Sequence, residues 1–383
     1  MSKIKLTEAC NIVTGKLDAN AAEKRGKYPY FTCAPEPLAI NTFAFDDDVI
    51  LLAGNNASGK FHCQRYKGKF NAYQRTYVIT AKQGYDIEYI YYNLKINLKN
   101  LKKIAQGSQT KFLTMQILDG FQIEDIPLQE QVKATEILAY IDEKIENNSK
   151  INIELESMAK TIYDYWFLQC EFPNGGGKPY KSSGGKMVWN EELKREIPEG
   201  WRRVNLNDIA SITMGTSPKG NSINTDGKGI AFYQGKADFG SRFPITRTYT
   251  DEPIRYADVN DILLSVRAPV GTLNIANEKC CIGRGLAVIH SEYTSFLFYL
   301  MRANQYRFDS YNYDGTTFGA ITKDDLFGMS IVIPKEDIID KFEKEINCID
   351  RKIFKCERET QELISLRDFL LPLLMNGQIG FKA

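Results

Sequence analysis

Between Gln129 and Trp166 inward-type positions return at alternating intervals of three and four: Leu138, Ile141, Ile145, Asn148, Asn152, Leu155, Ala159 and Ile162. A second run repeats the spacing through Ile339, Phe342, Ile346, Ile349, Ile353, Cys356, Thr360 and Leu363. This is the spacing of a coiled-coil seam. It predicts two long helices, each of about 38 residues or roughly 57 Å at 1.5 Å per residue. Helices of that length outrun the surface one small domain can offer, so each needs an external partner. The polar seam positions Asn148, Asn152, Cys356 and Thr360 lie mid-helix and would meet in an antiparallel pair. Separate docking of each helix on its own domain is the competing arrangement. Elsewhere short apolar runs such as DVILLA, RTYVIT, DILLSV and LAVIHS read as strands, and IEYIYYNLKINL and SFLFYLMRA as helices. The expected fold class is α+β.

The pattern occurs twice. ILLAGNNASGKF at 50–61 matches ILLSVRAPVGTL at 262–273, an offset of 212. Leu6, Ile12 and Gly15 face Leu206, Ile212 and Gly215 at 200, and Gly107, Thr114 and Leu118 face Gly315, Thr322 and Leu326 at 208. The 208 offset continues into the helices, where Ile141-Asp142 and Lys144-Ile145 face Ile349-Asp350 and Lys352-Ile353. Each half is a globular region followed by a helix. The expected boundaries are a domain at 1–127, a helix at 128–170, a linker at 171–198, a domain at 199–335, a helix at 336–376 and a tail at 377–383. PNGGGKPYKSSGG, with five glycines and two prolines, predicts an irregular exposed connection between the halves.

Composition changes this picture little: 383 residues, 43% hydrophobic and 25% charged, describe an ordinary folded chain. No apolar run approaches the length of a membrane span, and MSKIKLTEAC lacks the apolar stretch of a signal peptide, so the cytoplasm is expected. Eight cysteines without a CxxC pair read as reduced thiols. Charge matters more. The net charge is only +1, but eleven basic and two acidic residues lie between Lys60 and Lys111, interleaved with seven tyrosines. Such a segment suits phosphate contacts that position a nucleic acid; a solvated face over core tyrosines is the other reading.

Candidate catalytic chemistry is nearly spelled once. GNNASGK at 54–60 fits the phosphate-binding pattern GxxxxGK, but Phe61 replaces the hydroxyl that would bind magnesium, and HCQRYKGKFNAY does not read as a helix. His62 and His290 have no repeat-related partners and are read as structural. No metal site and no catalytic residue are expected.

Several stretches carry a family resemblance: IPEGWRRVNLNDIASITMGTSPKG at 197–220, LESMAKTIYDYWF at 155–167 and LRDFLLPLLMNGQIGF at 366–381, supported in the first copy by INTFAFDDDVILLAG and KGKFNAYQRTYVI. With the duplication, the chain resembles the DNA-specificity subunit of type I restriction-modification systems over nearly its whole length. The first copy departs in lacking a counterpart of Pro198, Glu199, Gly200 and Trp201. The resemblance implies two target recognition domains, each reading half of a split double-stranded DNA sequence, separated by an antiparallel coiled coil with pseudo-twofold symmetry. It also implies a non-catalytic chain that docks two methyltransferase subunits, with a translocase-nuclease subunit added for restriction. S-adenosylmethionine, ATP and magnesium would be bound by those partners and none by this chain. A catalytically inert two-domain adaptor for protein or RNA, and the specificity chain of a fused restriction-methylation enzyme, are the alternatives.

Candidate DNA contacts sit on loops. Gly15 and Lys16, with Ser217, Lys219 and Gly220 in the second copy, follow the first strand; a plain turn is the competing reading. Lys60, Lys67, Lys69 and Arg75, with Arg267 and Arg284, offer phosphate contacts or bidentate guanine recognition, against ordinary surface salt bridges. The repeated loop presents Ser108, Gln109 and Lys111 in one copy and Thr316 and Thr317 in the other, with Gln109 suited to an adenine edge. A tight turn capping the next helix is its competitor.

Overall fold

The structure is a computed structural model that describes residues 2–57, 59–107, 110–313 and 319–379. The chain forms two compact units, Met1–Lys150 with Glu357–Ala383, and Ile151–Cys356. Each unit therefore takes part of both long helices.

In the first unit a six-stranded sheet runs in the order Cys10–Thr14, Thr76–Ala81, Phe45–Ala53, Cys63–Ala72, Tyr28–Phe31, Leu38–Ile40. Ile12, Ile79 and Ile50 stand side by side across its first three strands. Alternation sends Ile50, Leu52, Tyr77 and Ile79 against Tyr89, Ile90 and Leu94 of the helix Ile87–Ile104. Val49, Leu51 and Val78 face the other way, onto Phe31, Phe70 and Ala72. Both faces are buried, which is why VILLA at 49–53 is apolar without interruption. Asp86 starts the helix by accepting the Tyr89 N–H at 3.1 Å, and Lys102 and Lys103 close it.

The second unit repeats this frame. Ser211–Met214, Leu286–His290, Ile262–Ser265 and Leu273–Ile275 follow the same order, with Ile212, Ile289 and Ile262 in a row. Ile262, Leu264 and Ile289 pack on Phe296 and Leu300 of the helix Thr294–Ala303, while Leu263 and Val288 pack on Tyr233 and Ile282. The edges match as well. Lys3–Lys5 pairs with Gln122–Glu124 as Arg202–Asn205 pairs with Ser330–Ile333. Leu6 N–H donates to Phe121 O at 2.8 Å, and Leu206 N–H to Met329 O at 2.9 Å. Thr114 and Thr322 each cap a short helix with the side-chain oxygen. The first domain thus closes its edge without a counterpart of Trp201.

The long helices span Leu128–Tyr163, continued by a π-helical turn at Asp164–Leu168, and Glu336–Met375. Within each unit their segments run antiparallel. In the first, Asn148 Nδ2 donates to Glu359 at 2.9 Å and Arg367 to Asp142 at 2.9 Å. In the second, the Tyr163 and Phe342 rings lie 5.9 Å apart, while Glu156 and Asp350 share Arg242. The seam faces inward: Leu138, Ile141, Asn148, Ile346, Ile353 and Cys356 are buried, and Ile145, Leu155, Ile349 and Leu363 are half-buried.

The glycine-rich stretch 173–185 consists of turns and bends and is largely exposed, as its composition predicts, but the residues flanking it are packed. Met187–Asn190 and Arg195–Pro198 form a hairpin, and buried Phe172 stacks on Tyr180 at 4.5 Å and on Trp201 at 5.5 Å. Aromatic side chains, which a count of glycine, proline and serine ignores, fold this segment onto the second unit.

Candidate nucleic-acid interface

Backbone bonds between segments distant in sequence gather the candidate loops at one end of each sheet, identically in the two copies. In the first, Gly15 N–H donates to Thr76 O at 3.2 Å, Gly54 N–H to Arg75 O at 2.8 Å and Leu113 N–H to Gly54 O at 2.8 Å. In the second, Gly215 N–H donates to Leu286 O at 2.9 Å, Val266 N–H to Gly285 O at 2.9 Å and Ile321 N–H to Val266 O at 3.0 Å. A further pair matches: Tyr73 N–H to Phe31 O at 2.9 Å, and Gly283 N–H to Tyr233 O at 2.8 Å. The loops carrying Lys16, Lys60, Arg75 and Lys111, and those carrying Ser217, Arg267 and Arg284, therefore occupy equivalent places.

The individual side chains differ in what they can offer. Gly15 is buried, and a Cβ there would lie 2.0 Å from Ala72 O, as one at Gly215 would lie 2.2 Å from Gly283 O. As a correction, Gly15 is a close-packing glycine with nothing exposed to a ligand. Lys16, Lys60 and Arg75 are exposed, and Lys111 is half-buried. Lys102 and Lys111 flank Gly59, each 3.2 Å from where its Cβ would be. Among the described residues these five cations form no ion pair. Lys67 and Lys69 are exposed but stand opposite Asp48 and Asp46 on the neighbouring strand, and Lys69 lies 4.8 Å over the Phe43 ring. Arg65 beside them is held by Asp48 and by Glu88 at 2.9 Å. The basic run in the sequence is thus partly neutralised in space by a strand preceding it.

In the second copy Lys219 pairs with Glu252 at 3.6 Å, Gly220 is exposed, and the exposed Arg267 bridges by backbone to Ala320. Ser217 Oγ accepts the Arg284 backbone N–H and the Gln234 amide, each at 3.3 Å. Ser108, Gln109, Thr316 and Thr317 lie outside the described residues.

Sequence reasoning missed four residues at this end. Lys102 was signalled only as a basic residue in a last helical turn. Thr32 and Gln74 follow Phe31 and Tyr73 as Gln234 and Arg284 follow Tyr233 and Gly283, so the shared hydrogen bond sets these pairs at equivalent positions. No residue similarity marks them. GNNASGK does not lead into a helix: Asn55–Asn56 pairs with Lys111–Phe112, and Cys63–Ala72 follows as a strand; Ser58 lies outside the described residues. His290 Nδ1 is 2.6 Å from buried Asp261. Burial pushes the Cys10, Cys63 and Cys280 thiols up to about 12, which leaves them unreactive. Among the described residues no helix is long and apolar enough to cross a membrane.

The family model described as Type I restriction modification DNA specificity domain matches residues 1–157 and again 198–355, once per copy. The putative type I restriction enzyme MjaX specificity subunit of Methanocaldococcus jannaschii is 35% identical over 262 residues, covering 67% of this chain and 59% of that protein. The MjaIX specificity subunit of the same organism is 28% identical over 321 residues, covering 79% and 71%. The chain thus spans about three fifths of the length of the first of these relatives. In fold it is similar to the type I restriction-modification S subunit from M. genitalium, with a TM-score of 0.67 at 17% identity over 98% of this chain and 96% of that one. The fold is a duplicated α+β frame with polar loops gathered at one end of each sheet. The chain belongs to the type I restriction-modification DNA specificity family.

Proposed function

We propose that this chain is the specificity subunit of a type I restriction-modification complex and that it reads a bipartite duplex DNA target. Each recognition domain contacts one half-site with the loop end described above. Lysines there bind phosphates and set orientation, while exposed amide, hydroxyl and guanidinium groups address base edges. The antiparallel helices set the gap between half-sites and dock two methyltransferase subunits, with a translocase-nuclease subunit joining for restriction. S-adenosylmethionine, ATP and magnesium are taken up by those partners.

One observation carries this reading. The two copies keep the same backbone bonds at the loop end yet present different side chains at equivalent positions, Thr32 and Gln234, Gln74 and Arg284. A constant frame with a varied end is what two readers of different half-sites need. The test is exchange of residues 199–335 for the matching domain of a relative, followed by mapping of methylated sites in the host genome. One half of the motif should change and the other persist. A motif that changes in both halves, or in neither, overturns the proposal.

A further inference from the structure

Gln234 directly follows the strand Ile230–Tyr233 at the loop end of the second domain; its backbone is held on both sides and its exposed side chain by one hydrogen bond. Its backbone N–H donates to Asp238 Oδ2 at 2.7 Å, and its carbonyl accepts the Gly285 N–H at 3.2 Å. Its amide Nε2 donates to Ser217 Oγ at 3.3 Å, and that oxygen also accepts the Arg284 N–H. A hydroxyl accepts two hydrogen bonds and donates one. With both acceptor places filled, Ser217 keeps a proton to donate outward. The Gln234 amide, with one N–H engaged, keeps its second N–H and the carbonyl Oε1.

We infer that Gln234 is a specificity-determining residue that reads an adenine in the half-site of the second domain. A neighbouring amide N–H and C=O are the complement of adenine N7 and N6 in the major groove, the pairing that glutamine and asparagine make bidentately. Anchoring through Ser217 lowers the rotamer entropy cost of binding, so the amide is set before DNA arrives. The flanking backbone supports the arrangement. A Cβ at Gly285 would lie 2.5 Å from Gln234 O, and one at Gly283 would lie 3.2 Å from Ser217 Oγ. Glycine at both places lets the Arg284 segment approach this closely. The side chain of Gln234 is not required by the frame, because the equivalent residue in the first domain is Thr32, whose hydroxyl is used locally to accept the Ala34 N–H at 3.2 Å. Gln74, the equivalent of Arg284, spends its amide on Asp18 at 2.6 Å.

The inference rests on the proposed function, and the experiment separates the two. Methylated motifs are mapped for the assembled methyltransferase complex carrying the native chain, Gln234→Ala or Gln234→Glu. The native complex should give a two-part motif. Gln234→Ala should relax one adenine position of one half-site by about 5- to 150-fold, the worth of a bidentate pair, and leave the other half unchanged. The same contact is tested from the DNA side with unaltered protein, by placing 7-deazaadenine at each adenine of that half-site in turn. Affinity should fall at one position, and Gln234→Ala should be indifferent to the replacement there. A native two-part motif whose stringency Gln234→Ala leaves intact, or relaxation at a base other than adenine, overturns the assignment of Gln234 alone. Absence of any two-part motif with the native chain overturns the proposed function.

Discussion

Asp142 and Asp350 stand 208 residues apart at the same place in the two copies, and each carboxylate ties a long helix to the domain beside it. Asp142 accepts from Arg367 at 2.9 Å and from the Tyr92 hydroxyl at 3.0 Å, with Lys95 at 3.4 Å. Asp350 accepts from Arg242 at 2.7 Å and from the Ser295 hydroxyl at 2.7 Å. The nearer cation comes from the opposing helix in one unit, with Lys95 of the helix Ile87–Ile104 beside it, and from a loop of the globular domain in the other. The position of the acid follows the repeat, whereas its partner does not.

Arg242 is 2% exposed, lies 3.9 Å over the Phe298 ring and separates Asp350 from Glu156. Arg242→Met should cost about 3 kcal/mol, because it leaves the half-buried Asp350 carboxylate without a cation, while Glu156 keeps Arg302. Burial already pushes the Asp350 carboxyl above its usual range, against the pull of Arg242. Adding Asp350→Asn should therefore restore part of the loss. Urea unfolding of the single and double variants measures this; a double variant less stable than Arg242→Met contradicts it.

Burial acts to raise the Asp142 carboxyl as well, but the hydrogen bond from Arg367 and the charge of Lys95 outweigh it and hold the group below the usual carboxylate range. A depressed folded value means stability that is present above the unfolded value of about 4 and lost as pH falls through the folded one. The gap in urea midpoint between the native chain and Asp142→Asn should be constant from pH 7 to 5 and shrink on further acidification. A gap that widens below pH 4 would reverse the sign.

Gly15→Ala and Gly215→Ala each set a methyl against a backbone carbonyl that cannot swing aside. Each should destabilise by about 1–3 kcal/mol as overpacking does. Gly220→Ala, with nothing within 4 Å of the added carbon, should stay within about 0.5 kcal/mol. Thermal melts of the three variants make the comparison, and equal melting temperatures would refute it.

Replacing Lys60, Arg75 and Lys111 by glutamine should lower the slope of log affinity against log salt by about 0.9 for each phosphate left without its cation. Replacing Lys67 and Lys69, which stand opposite Asp48 and Asp46, should change the slope much less. Titrations of the assembled complex with duplex DNA at several salt concentrations distinguish the two sets. An equal fall for both would show that the neighbouring aspartates do not offset these lysines.

The duplication, the seam from Leu138 through Leu363 and the strands DVILLA and DILLSV were legible in the sequence, because side-chain periodicity and burial are properties of one segment at a time. So was the family, since its motifs are contiguous. Tertiary structure alone decided which loops meet. Asp46 and Asp48 come beside Lys69 and Lys67 through strand register, and Gln234 comes beside Ser217 although the strands they follow belong to different sheets. The packing of Phe172 on Trp201 likewise depends on two residues finding the same surface. Periodicity says which face of a segment is buried; register between segments says which charges and amides become neighbours, and that is set by the packed core they share.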